Sequence, residues 1–347
     1  MIKFGRETTQ ILKGIALILM IIHHTIMSGD WVQTSLISED IYRFIEKSSK
    51  MCVWIFAFLV GYGFYFSNNK TFTYSFKRVL LLIIPFWVIL WFIFIPQAYL
   101  QGSLDNIFDN GIFNGIIYLI YNMFGISESL NWYSWFVFFY VLSIFSMPFL
   151  HKIFEKYPKY GWIITIFSYY ALSVAIHFLP FWQTNLLVYN LFSYTTLIPI
   201  VIVGYMCAQW NIVGKIPPLF EGKKKLFVSL LAIFTILFIQ GIGILSKGFC
   251  LQAFYTPILI FAFVGIFNSF KLPYLTKFLR NIGDLSMYMW FLHAIFFTVT
   301  VNHYTKYLVF SSSFNCFFYT FFMTFVLTYA ISWVIKKLLT PIMNKII

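Results

Sequence analysis

Lys13, His23 and His24 share one apolar run, Lys13-Gly14-Ile15-Ala16-Leu17-Ile18-Leu19-Met20-Ile21-Ile22-His23-His24, with the cation at its start and two imidazoles at its end. As a helix, the run sets Lys13 and His24 about 16 Å apart along the axis. A titratable side chain inside a membrane span is costly and marks function by default. An imidazole titrating near neutrality takes a proton from a hydroxyl. The structural alternative is that one or both imidazoles sit at the water interface and bond a neighbour. His293 divides the same way, between a helix–helix hydrogen bond and a site role. Asp and Glu are nearly absent from the apolar runs, which argues against a glycosidase-type carboxylate pair. Cys52, Cys207, Cys250 and Cys316 show neither zinc nor CxxC spacing, so no metal and no disulfide framework is expected.

The elements that must carry these groups follow from composition. Hydrophobic residues make up 61% of the 347 residues and charged ones only 10%, against about 25% charged in a soluble domain. The expected fold is all-α: a polytopic transmembrane helical bundle of about ten spans in a single domain, 1–347. The spans read as 9–28, 51–67, 78–97, 132–150, 160–180, 186–208, 226–245, 250–268, 284–302 and 314–335. The first reads as a retained signal anchor. Segment 111–124 is apolar but short, and reads as an interfacial or re-entrant helix. With both termini cytoplasmic, all but Arg43, Lys47, Lys50, Lys247 and Lys306 of the 24 basic residues fall on the cytoplasmic side. An eleventh span at 111–124 would destroy that asymmetry. The net charge of +13 therefore reads as loops held against anionic lipid, not as a nucleic-acid surface.

Lys13-Gly14-Ile15-Ala16 followed by His24 resembles the first span of the acyltransferase-3 family of bacterial membrane proteins. There a basic residue precedes a functional His by eleven positions. The resemblance continues at Phe56-Ala57-Phe58-Leu59-Val60-Gly61-Tyr62, at Trp135-Phe136 and at Ser286-Met287-Tyr288-Met289-Trp290-Phe291-Leu292-His293. Lys13 stands where the family usually has Arg; it keeps the charge and loses the bidentate fork. Val60 replaces the usual Ser, and Val79 to Ile84 lacks the second basic residue often found there. The expectation is a stand-alone member without an SGNH domain.

The resemblance implies a multi-pass protein of the bacterial cytoplasmic membrane. It would move an acyl group, usually acetyl, from cytoplasmic acyl-CoA to a hydroxyl of a cell-envelope glycan or exopolysaccharide. His24 is then the base, with His23 and His293 as alternative or supporting imidazoles. Lys13, Lys77 and Arg78 would hold the CoA phosphates, with Lys277 and Arg280 as further rim cations. Lys77 and Arg78 are also what topology alone places at a span start. Tyr62, Ser134 and Ser286 could stabilise the oxyanion. Glu128, Trp132 and Trp135 could line a sugar site beside Asn131 and Tyr133. Glu128 also reads as a solvated loop acid, and Trp135 as packing. Partners would be acyl-CoA, the glycan, the bilayer and polysaccharide-synthesis machinery. Two other classes fit the chain: a transporter or flippase for a polysaccharide or lipid-linked precursor, and a non-catalytic partner in envelope synthesis. Internal repeats and intramembrane charge, which a transporter would show, are not evident in the sequence.

Overall fold

The computed structural model describes residues 4–27, 38–109, 111–215, 223–242, 251–269, 272–307 and 313–346, and these are helical throughout apart from turns and loops. The helices are α1 (Arg6–Met27), α2 (Glu39–Ser49), α3 (Met51–Tyr65), α4 (Phe72–Ile89), α5 (Ile95–Leu100), α6 (Asp105–Phe108), α7 (Ile112–Met123) and α8 (Trp135–Lys156). They continue as α9 (Gly161–His177), α10 (Leu186–Gln209), α11 (Ile212–Lys215), α12 (Lys223–Ile242), α13 (Gln252–Ser269), α14 (Pro273–Tyr307) and α15 (Ser313–Met343). Among the described residues, five helical stretches are long and apolar enough to cross a membrane: Arg6–Met27, Phe72–Leu100, Trp135–Lys156, Leu186–Gln209 and Phe317–Met343. Gly161–His177, Leu226–Ile242 and Gln252–Phe267 are shorter apolar helices. Helix α7, at 12 residues, rises about 18 Å and falls short of a bilayer core.

Local chemistry explains the boundaries. Thr71 caps α4 by accepting from the Tyr74 amide at 3.3 Å, and Asn185 caps α10 by accepting from Leu187 and Val188 at 3.1 and 3.2 Å. Between α4 and α5 the chain widens into a π-helical turn, Leu90–Phe94. Pro96 follows it, has no N–H to give and crowds the carbonyl of Phe92. Helix α2 is an element the hydropathy reading did not anticipate. It is short, it begins with Glu39 and Asp40, and only Tyr42, Ser48 and Ser49 are buried along it.

At the centre, α1 crosses α14 and α3 crosses α10, each through a pair of glycines. A Cβ at Gly14 would overlap the main chain at Leu279, and one at Gly283 that at Gln10. A Cβ at Gly61 would overlap the main chain at Val201, and one at Gly204 that at Phe58. Such close approach is how helices gain dispersion contact where lipid offers no hydrophobic drive. Leu12, Ala16, Leu17, Met20 and Ile21 of α1 lie in the core beside Phe58 and Ile198.

Candidate active site

The α1–α14 crossing fixes the level of two side chains. His24 lies ten residues beyond Gly14, and His293 ten beyond Gly283, so each helix climbs about 15 Å from the contact to its imidazole. The two rings meet at the same height. His293 Nε2 lies 2.8 Å from His24 Nδ1, and the rings stack at 4.8 Å and 20°. Both residues are buried, His24 at 8% and His293 at 1% exposure.

The hydrogen bonds assign the tautomers of the neutral pair. His293 Nδ1 lies 2.5 Å from the Trp290 carbonyl, which only accepts, so Nδ1 carries the proton. Its Nε2 then holds a lone pair and accepts from His24 Nδ1–H. That leaves His24 Nε2 as the basic nitrogen. His23 points elsewhere: its Nδ1 donates to the Glu46 carbonyl of α2 at 2.8 Å.

The loop between α7 and α8 closes over the pair. Asn122 donates to Tyr118 O at 2.8 Å and Ser129 Oγ at 2.9 Å, and accepts from the Leu130 amide at 3.0 Å. Gly125 supplies a left-handed turn at φ +67°. Asn131 donates to Phe291 O of α14 at 3.3 Å and accepts from the Tyr133 amide at 3.2 Å. So anchored, the Tyr133 ring stacks on His24 at 3.8 Å and on His293 at 4.7 Å.

Below the imidazoles lies a cavity of about 670 Å³, within the range of small-molecule sites. Arg6, Lys13, Arg78 and Lys336 line it together with Asp284. Its other wall is apolar, with Phe56, Phe136 and Trp290 at the end nearer the imidazoles. Trp290 packs on Phe136 at 4.8 Å and edge-on to Phe56 at 5.1 Å, and its indole N–H donates to Tyr133 O at 3.2 Å. Of the three, Trp290 comes nearest the pair, its ring edge-on to His293 at 6.5 Å.

The sequence candidates divide accordingly. Lys13, Arg78 and Ser286 line the cavity. Lys77 does not, because neighbours on a helix point about 100° apart; it is exposed. Arg280 bonds Glu7 at 2.9 Å and Lys277 is exposed, and neither is among the lining residues. Tyr62 does not belong with His24. Its ring packs on Phe4 at 4.3 Å, at the opposite end of α1, since α3 runs down from Met51 while α1 climbs. Ser134 is buried beside Tyr133 and donates to Ser127 O at 3.3 Å. Trp132 is 69% exposed. Trp135 meets Phe136 edge-on at 5.7 Å. Glu128 is partly buried in the loop, and desolvation raises its carboxyl from 4.5 to about 7. His177 packs on Trp182 at 4.8 Å, in the α9–α10 corner. Trp290, Arg6, Lys336 and Asp284 belong to this region and were not singled out as site residues by sequence, and Tyr133 was named only as a neighbour of the sugar-site candidates. Trp290 lay inside a recognised motif; the distant Arg6 and Lys336 gave no signal beyond topology. Among the described residues no group of three His, Cys, Asp or Glu is disposed to hold a metal ion, and Cys52 and Cys207 are free and buried.

Fold and site together define a multi-pass helical membrane protein with a buried imidazole pair above a cation-lined cavity. Residues 10–337 match the family model described as an acyltransferase domain, and the chain belongs to this acyltransferase-3 family. It is accordingly a membrane acyltransferase. No curated protein and no solved structure was found to match it.

Proposed function

We propose that the protein is an O-acyltransferase of the bacterial cytoplasmic membrane, taking an acetyl group from cytoplasmic acetyl-CoA to a hydroxyl of an envelope glycan or exopolysaccharide. The observation that carries this reading is the His24–His293 pair above a cavity with four cations and one carboxylate. A basic opening with an apolar interior suits a ligand with several phosphates on one end of a long, thin arm. The charge asymmetry of the loops supports this reading, since a ten-span topology with both ends cytoplasmic would set those cations on the side where acyl-CoA is made.

In the proposed reaction, Lys13 and Arg78 hold the phosphates and the arm extends along α1 and α14. It passes Trp290, whose indole is tied to the Tyr133 carbonyl. The acceptor approaches from the outer side, along the loop bearing Glu128 and Trp132 and the start of α8 at Trp135. His24 Nε2 takes the hydroxyl proton as the oxygen attacks the thioester carbonyl. The imidazolium keeps its Nδ1–H bond to His293, now charge-assisted. Collapse of the tetrahedral intermediate breaks the C–S bond, and the proton passes from His24 to the leaving thiolate. Ser286 lines the cavity seven residues, about 10 Å, below His293, along the path of the arm rather than at the developing oxyanion.

Purified protein in liposomes, given radiolabelled acetyl-CoA and an envelope glycan extract, tests this. Label is expected on glycan with wild type and His23→Ala. His24→Ala should lose about 10²–10⁴-fold in rate while remaining folded. Transfer lost in His23→Ala and kept in His24→Ala would overturn the assignment of the base. No transfer in any sample, across several glycans and donors, would favour a transporter.

A further inference from the structure

The Asp284–Lys336 ion pair is a wall between two compartments. On one side is the main cavity. On the other is a pocket of about 350 Å³, lined by Asn281, Leu285, Tyr329, Trp333 and Lys337, with Asp284, Lys336 and Thr340 common to both. Lys336 Nζ donates to the Asp284 carboxylate, whose other oxygen accepts from Gln10 Nε2 at 3.3 Å. The pair thus ties α1, α14 and α15 together at the mouth.

The second pocket differs in chemistry from the first. It has an aromatic face: Trp333 is 55% exposed, with Lys337 Nζ 5.3 Å from its ring centroid. It has two adjacent lysines, a hydroxyl at Thr340 and a side-chain amide at Asn281. A flat π surface, an amide and paired ammonium groups match a purine and a phosphate. An acyl arm would find nothing comparable there to pack along. Asp284 lies nine residues below His293 on α14, about 13 Å along the helix. A ligand with its nucleotide here would therefore send its other end up the main cavity toward the imidazoles.

We propose that this pocket is a nucleotide subsite that takes the adenosine 3′-phosphate end of the acyl-CoA. Trp333 carries the base, and Lys336 and Lys337 meet the 3′-phosphate, Lys336 by leaving Asp284. Asp284 keeps its bond to Gln10, so α1 and α14 stay joined as Lys336 turns. Lys13 and Arg78 then serve the pyrophosphate, and the pantetheine arm fills the apolar cavity. The inference rests on acyl-CoA being the donor.

Three probes, binding to protein in nanodiscs, separate the parts: CoA, 3′-dephospho-CoA and 4′-phosphopantetheine. Wild type should bind CoA about tenfold or more tighter than dephospho-CoA, the worth of one charge-assisted contact. Lys337→Met and Lys336→Met should erase that difference. Trp333→Ala should weaken both nucleotides and leave 4′-phosphopantetheine unchanged, which also shows the variant to be folded. If wild type binds CoA and dephospho-CoA equally, or the variants match wild type on every probe, the subsite is refuted and the donor stands. If wild type binds none of the three, the donor reading falls, and this inference with it.

Discussion

The α1–α14 and α3–α10 crossings are built alike and hold different things. Each uses two glycines set against opposing main chain, and each has a histidine in its neighbourhood. Beyond the first, His24 and His293 bond each other in a buried stack. At the second, Tyr205 packs edge-on to Tyr65 at 5.3 Å, and its hydroxyl lies 2.6 Å from His151 Nδ1. His151 faces Glu155 at 3.2 Å through its other nitrogen. An imidazole fixed between a phenol and a carboxylate has both nitrogens committed to structure. In the His24–His293 pair, an imidazole is set against a second imidazole instead of a carboxylate, and the bond to His293 fixes which nitrogen of His24 carries the proton. Close helix approach is therefore a common device here, and what it positions decides whether a crossing is scaffold or site.

The largest expected effect would break that comparison if it failed. Gly283→Ala forces α14 off α1 at Gln10, and Gly204→Ala forces α10 off α3 at Phe58. A displacement near 1 Å costs about 10²-fold where reacting groups must align. Gly283→Ala should thus lose transfer by that factor in protein that still folds. Gly204→Ala should lose about 1–3 kcal/mol of stability to overpacking and keep its activity per folded molecule. Thermal unfolding and transfer rate, measured on both variants, check this. Equal activity losses would mean that both crossings serve the site.

A smaller effect is expected at His293, which orients His24 rather than reacting. His293→Ala should lower the rate about 10–100-fold, because His24 Nδ1–H loses its acceptor and its tautomer is no longer fixed. His293→Gln should recover part of the loss, since an amide oxygen can accept the same bond. Rate profiles against pH should shift in His293→Ala and not in a variant of His151. Equal losses in the Ala and Gln variants would refute the orienting role.

How much of this could be read in the chain varies by residue. The long apolar runs gave α1, α4, α8, α10 and α15 directly, because hydropathy over twenty residues is a strong signal. Helix α2 escaped because eleven polar-faced residues resemble a loop. The chemistry of α1 was visible in Lys13 and His24. The matched ten-residue offsets, Gly14 to His24 and Gly283 to His293, were countable but mute until the two glycines were known to touch. Lys336 and Arg6 read as topology charges, since nothing local says that 330 residues of chain fold back to place them on one cavity. Tyr62 was drawn toward His24 by its motif, yet α3 runs the other way and sets it beside Phe4. Lys77 and Arg78 were both assigned to the CoA phosphates; the helical twist puts only Arg78 on the cavity.

The smallest effect concerns Glu128, which contrasts a group on the loop with the imidazoles below it. Burial raises its carboxyl from 4.5 to about 7, so the folded protein holds this proton after the unfolded chain has released it. Stability contributed by the group is full below about pH 4.5, falls as pH rises toward 7 and is flat above. Glu128→Gln cannot titrate and should lack that slope, with a difference in unfolding midpoint of about 2–4 °C across the window. The same titration should reach acceptor binding. If the loop meets the glycan, acceptor KM for wild type changes between pH 6 and 8, and KM for Glu128→Gln does not. Parallel stability profiles would show that the loop leaves Glu128 in water. A stability slope without a KM change would confine the carboxylate to holding the loop over Tyr133, and move the sugar contact to Trp132.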